Sequence, residues 1–287
     1  MDIIPAHAEL ISPSEFEKAV TELDTLETMP TAAQRILSIT ADGEAAVDDV
    51  YDLVSADPSL AAGAMRIASS AAYGGRSAAT LRDALVRLGI SEIRKFVLAQ
   101  SLMGKGATTN AFHRTFWEYS LKCAAISEAL VHTLGIRGID DPFLCGLLHD
   151  FGILVLSRLR GKDYRTLVGT PGEVEQIDRE RDRYGFAHTD LGSMVAASWN
   201  LFDSLEHVMQ FHHAPREAAA LGLDPIVVRT VEIVAIAHEY AVRGEDSDRI
   251  DGLSSELSLD GKKLARGYER GIQRFERLYA GMLNDNT

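Results

Sequence analysis

Apolar residues recur every three or four positions along almost the whole chain, and that spacing leaves room for little besides helices. Val47, Val50, Tyr51 and Val54 form one such stripe; Phe116, Tyr119, Cys123, Ile126 and Leu130 form another. Three later stripes each include a histidine. One joins His188 to Leu191, Val195 and Trp199, the next joins Leu205, Val208 and Met209 to His212, and the third joins Val231, Val234 and Ala235 to His238. Leu264, Tyr268, Ile272, Phe275, Leu278 and Met282 define a last, two-faced helix. No alternating run is long enough for a strand, and no segment repeats another. The expected fold is all-α.

Local signals place the helix ends. Asp57-Pro58 reads as an N-cap followed by proline in the first helical position, Thr80 with Asp83 as a capping-box-like start, and Gly89 as a stop. Gly104 to Asn110 (GKGATTN) is small, polar and without period, the best linker in the chain. The resulting division has an N-terminal segment at 1–22, an N-terminal helical subdomain at 23–104 and a helical bundle at 111–243. Gly244 to Asp260 reads as an acidic loop, and 260–287 as a C-terminal amphipathic helix. With 46% hydrophobic residues in 287, the chain can bury a large core.

One position conflicts with its surroundings. His149-Asp150 stands inside GLLHDFGILVL, which the pattern assigns to a helix apolar almost all round, opened by Asp141-Pro142. A buried carboxylate costs several kcal/mol, roughly, unless it is paired or metal-bound. His188, His212 and His238 lie on the core-facing stripes of their own helices and can answer it. Imidazole and carboxylate donors together suit Fe, Mn, Zn or Ni better than Mg or Ca. His213 stands about 100° around its helix from His212. It reaches a second metal, supports the first ligands, or merely ends the helix. Cys123 and Cys145 have no metal-ligand spacing and read as small core fillers.

Charge narrows the function classes. The chain carries 29 basic and 42 acidic residues, a net −13, and such a field repels phosphate backbones and anionic membranes. Thr80 to Gln100 has helix-turn-helix proportions, with Arg94, Lys95 and Gln100 as candidate readers, yet the acidic whole argues against nucleic-acid binding. Phe143 to Leu159 is too interrupted by polar residues to span a bilayer, and the first residues do not read as a signal peptide. A cytoplasmic location without membrane attachment is expected. No P-loop, GxGxxG or GxSxG motif is present.

The segments GLLHDFGILVL, FWEYSLKCAAISEAL, ERDRYGFAHTDLGSMVAASWNL and FHHAP together resemble an HDOD domain, the HD-related output domain of bacterial signalling proteins. TLETMPTAAQRILSIT, LVSADPSLAAGAMRIASSAAYGG and LRDALVRLGISEIRKFVLAQSL extend the likeness, which covers about Leu23 to Pro215. The resemblance implies an N-terminal helical subdomain packed on an HD-like helical bundle, related to HD and HD-GYP phosphohydrolases but regulatory and non-catalytic. It places Tyr119 where active HD enzymes carry a first histidine, and His238 where they carry a final aspartate. It implies that the intermediate histidines are retained as His188, His212 and His213. The lysine of HDxGK is Ile153 here, and no glycine-tyrosine-proline motif follows His213.

The expected function is therefore a non-catalytic signalling module acting through a protein partner, with a nucleotide second messenger or a metal as further ligands. The candidate metal residues are His149, Asp150, His188, His212, His213 and His238. The alternative is a divergent metal-dependent phosphohydrolase acting on cyclic dinucleotides with the same residues. The C-terminal helix could dock on the bundle or pair two copies into a homo-oligomer.

Overall fold

A computed structural model describes residues 30–282, apart from 42, 44, 104–110, 140, 169–175, 200 and 246–247. The segment at 1–22 and the GKGATTN linker lie outside the described residues. Among those described, helices account for every regular element and no strand occurs. The fold is all-α.

The described residues sort into two compact units, the smaller built from 28–105 with 273–287 and the larger from 106–272. The smaller holds α1 (Thr31–Ile39), α2 (Val47–Ser55), α3 (Pro58–Ser69), a 3-10 turn at Ala71–Tyr73, α4 (Leu81–Leu88) and α5 (Ile90–Met103). The Asp57 carboxylate accepts the Ser59 and Leu60 amides and starts α3, with Pro58 in the first turn. Thr80 accepts the Asp83 amide at 3.1 Å and starts α4. The interior is filled by Ile36, Val50, Val54, Ala64, Leu85, Ile93, Phe96 and Leu98. Lys95, a candidate base reader, is only 3% exposed and paired with Glu92 at 2.8 Å. Gln100 donates to the Ser59 hydroxyl. Both side chains are committed to packing rather than presented on a recognition face.

Asp57→Ala removes the two bonds accepted from the Ser59 and Leu60 amides at the start of α3. It is expected to cost about 1 kcal/mol in a urea titration, and Asp57→Asn much less. Equal losses from the two variants would show that charge, not the cap, is what matters there.

The larger unit comprises α6 (Ala111–Leu134), α7 (Pro142–Leu148), α8 (Gly152–Val168), α9 (Gln176–Tyr184), α10 (His188–Ser198), α11 (Asp203–Phe211), α12 (Pro215–Ala220), α13 (Pro225–Arg243) and α14 (Asp248–Glu256). It also takes α15 (Gly261–Met282) as far as Ile272. The C-terminal helix thus contributes one stretch to each unit. Helix α14 lies within the stretch expected to be an acidic loop; its single buried residue, Ile250, was too weak a signal for periodicity to reveal.

Helix α7 presses closely on α6 because Gly146 has no Cβ. One there would stand 2.7 Å from the Ala124 Cα and 2.8 Å from the Ser127 Oγ. Helix α8 is broken at Gly161, where φ is 55°. Along α13, Val231, Ile233, Val234, Ala235, Ile236 and Ala237 are all buried, so that helix runs through the core of the unit. Pro142–Val168 is apolar enough over its length to cross a membrane, yet 83% of its most apolar window is buried within the protein.

Candidate metal centre

The apolar stretch around the doublet is two helices, not one. Helix α7 ends at Leu148 and α8 begins at Gly152, with His149, Asp150 and Phe151 forming the turn between them. Phe151 donates to the Leu148 carbonyl and Ile153 to the Asp150 carbonyl, so tightened three-residue bonds span the break. The other histidines arrive from three directions. His188 is the first residue of α10, His212 caps the end of α11, His213 follows it, and His238 projects from α13.

All six candidates meet at one point. Asp150 is 0% exposed, and His149, His188, His212 and His238 are 1–2% exposed. The Asp150 Oδ1 has His212 Nε2 at 2.9 Å, His188 Nε2 at 3.1 Å and His213 Nε2 at 4.0 Å. Its Oδ2 has His149 Nε2 at 3.3 Å and His238 Nδ1 at 3.7 Å, and it accepts a short bond from the Tyr119 hydroxyl. His149 Nε2 and His238 Nδ1 lie 3.0 Å apart. His213 joins them from just beyond the C-cap of α11, where no regular helix fixes the direction of its side chain. Its ring centroid is 4.1 Å from that of His212.

Hydrogen bonding fixes which ring nitrogens face inward. His149 Nδ1 lies 2.8 Å from the Gly146 carbonyl and His212 Nδ1 2.9 Å from the Val208 carbonyl, and a carbonyl can only accept. His188 Nδ1 is 2.7 Å from the Glu180 carboxylate. A neutral imidazole has one ring proton, and in these three rings it is spent on Nδ1. Each Nε2 then turns a lone pair toward the Asp150 oxygens. Lone pairs facing an anion at about 3 Å repel unless a proton or a cation lies among them.

Protons relieve only part of this conflict. Burial pushes the Asp150 carboxyl up, but the facing His149, His212 and His188 rings overcome it and hold it well below the usual carboxylate range. Burial opposes a charge on His149, yet the Cys123 sulfur and the Asp150 carboxylate raise its pKa well above the ordinary imidazole value. Burial likewise opposes His188, which Glu180 and Asp150 together bring up to about 10. In His212, His213 and His238 burial dominates and all three are lowered. His212 therefore remains a neutral ring whose lone pair points at a carboxylate 2.9 Å away. Both ring nitrogens of His213 and the Nε2 atoms of His188 and His238 also find no hydrogen-bond partner.

That donor set fits a transition-metal cation. His149, Asp150, His212 and His238 form one group of ligand atoms lying within 4.8 Å of one another, and Asp150, His188, His212 and His213 form a second. Of the nitrogens that face Asp150, His188 Nε2 and His213 Nε2 have no hydrogen-bond partner, and the Nδ1 bonds hold three of the rings in the required tautomer.

Two features here escaped the sequence reading. Glu180 is fully buried behind His188, bound also to Tyr164 and Gln176. Helix α9, which carries it, has no apolar stripe to give it away. Its buried residues are Gln176, Glu180 and Tyr184, a polar stripe at the same spacing of four. Cys123 lies against the ring of His149 rather than simply filling space. His213 is the only member of the cluster that is not fully buried. It lines a cleft of ≈ 280 Å³ with Asp178, Arg181, Gln210 and Glu217, and another of ≈ 430 Å³ with Arg216 and Arg249. Ile153, at the position of the HDxGK lysine, is fully buried and brings no charge.

Comparison with known proteins agrees with this architecture. The sequence profile of the HDOD domain matches residues 26–215. The crystal structure of an HDOD domain protein of unknown function from Geobacter sulfurreducens superposes with a TM-score of 0.67 at 22% identity, covering 94% of this chain and 98% of that one. A Shewanella amazonensis SB2B protein, provisionally described as a phosphohydrolase, gives 0.65 at 23% identity, covering 92% and 98%. An uncharacterized protein of Treponema pallidum (strain Nichols) is 21% identical over 226 residues, 75% of this chain and 44% of that protein. The chain thus spans less than half the length of the curated relative it matches.

Proposed function

The chain belongs to the HDOD family, and from that premise we propose that it is a regulatory signalling module whose His/Asp cluster holds a metal ion without turning over a substrate. One observation carries this reading. Asp150 is fully buried, and its Oδ2 is capped by the Tyr119 hydroxyl. Burial and the Asp150 charge push the Tyr119 pKa well above its ordinary value, so the phenol stays protonated and donates. Hydrolysis of a phosphodiester requires a metal-activated water in contact with substrate, and cationic groups around the transferring phosphorus. Four of the five rings and the acid are closed off, and the buried Ile153 supplies no cation.

His149, Asp150, His188, His212 and His238 would hold Fe, Mn, Zn or Ni, with His213 between them and the clefts. The ion would fix the local arrangement of helix ends, and a change in its occupancy would reach a protein partner through the surface near His213. A cyclic dinucleotide in the adjoining clefts is the small-molecule input this geometry could accept.

The test combines metal content with turnover. Elemental analysis of the full chain should find a transition metal in stoichiometric amount. The loaded protein should then hydrolyse neither cyclic dinucleotides nor bis(p-nitrophenyl) phosphate beyond the rate of the free metal. Turnover that disappears in Asp150→Asn would replace this reading with the phosphohydrolase one.

A further inference from the structure

The carboxylate of Glu180 is fully buried, yet it lies outside both groups of candidate ligands. Four donors converge on it. Oε2 accepts the His188 amide at 2.7 Å and the His188 Nδ1–H at 2.7 Å. Oε1 accepts the Tyr164 hydroxyl at 2.5 Å and the Gln176 Nε2 at 2.7 Å. An ionised carboxylate can accept all four bonds, whereas a protonated acid or an amide would turn a donor against one of them. Burial works against the charge, but His188 and Tyr164 hold the Glu180 pKa below its usual value.

We infer that Glu180 is a positioning residue for the metal centre: it locks His188 in the one tautomer and orientation that presents Nε2 to Asp150, and it supplies the second buried negative charge. This rests on the metal reading given above. The backbone bond adds precision, because the same oxygen grips both the His188 main chain and its ring. With Nδ1 committed to Oε2, the ring cannot flip without losing a charge-assisted bond inside the protein. Asp150 and Glu180 are also the two carboxylates whose charges act on the His188 ring. Together they match one divalent ion, so that a core holding this ion is formally neutral.

A purely structural role would have Glu180 staple α9 to α10 and nothing more, and the two roles separate experimentally. Co²⁺ and Zn²⁺ affinities of the full chain are measured by competition with a chromogenic chelator, alongside the visible spectrum of the Co²⁺ form. Glu180→Gln should weaken binding by about 10- to 100-fold and shift the Co²⁺ bands. Tyr164→Phe removes a donor from Glu180 but leaves its charge and its grip on His188; it should lower the melting temperature while leaving affinity and spectrum unchanged. Unchanged binding in Glu180→Gln, or equal weakening in Tyr164→Phe, overturns the inference while leaving the metal reading intact. Absence of binding by the unsubstituted chain overturns both. If Glu180→Gln does not fold, nitrogen-15 NMR of the Zn²⁺-loaded native chain decides. His188 bound through Nε2 with Nδ1 protonated supports the role, and binding through Nδ1, or no binding by that ring, refutes it.

Discussion

Asp150→Ala is expected to destabilise the metal-free protein by about 3–5 kcal/mol, the loss seen when one partner of a buried ion pair is removed. Its carboxylate is what permits His149 and His188 to carry protons in a water-free interior. Without it, those rings must either release their protons or remain as uncompensated charges, and the Tyr119 hydroxyl loses its acceptor. Denaturation in urea with excess chelator measures this effect separately from any metal loss. Asp150→Asn keeps the volume and should fall between the parent and alanine. A parent-like midpoint for Asp150→Ala would mean that the rings are neutral and indifferent to the acid, contrary to the geometry described here.

Gly152→Val is expected to be at least as damaging, through packing alone. A Cβ at this position would collide with the His188 carbonyl oxygen. It would also approach the His188 carbonyl carbon to 2.8 Å and the Gly192 amide nitrogen to 2.9 Å. These are backbone atoms at the start of α10, so no side-chain rotation relieves the clash. Inserting a single methylene into a tight core costs roughly 1–3 kcal/mol, and valine adds a branched side chain where even a methyl group does not fit. The chain should either fail to fold or lose the His188–Asp150 contact, visible as loss of metal binding together with a lowered melting temperature. Gly252→Ala, in α14, meets nothing within 4 Å and serves as the control, with an expected gain of up to about 1 kcal/mol. A fully stable Gly152→Val would show that α8 and α10 lie further apart than this structure has them.

The helices were legible because their apolar stripes were strong, and the caps at Asp57 and Thr80 because each is a local chemical signal. The cluster was legible for a different reason. A carboxylate amid leucines and valines demanded partners, and three histidines sat on core-facing stripes of their own. What remained hidden had no such contrast. Helix α9 turns Gln176 and Glu180 inward, so its buried face reads as surface, and the Glu180–His188 bond joins residues on two elements whose placement depends on tertiary packing. The break between Leu148 and Gly152 was invisible because the apolar pattern runs through it without interruption. His213 remained ambiguous because it follows the cap of α11, where spacing along a helix does not say which way a side chain faces.

Four of the six groups around Asp150 are attached where a helix starts or stops, and His238 and Tyr119 come from helix interiors. Fastening at such splice points leaves the rods themselves untouched while fixing the angles at which they join. An ion held there would therefore act on joints rather than on the length or core of any helix.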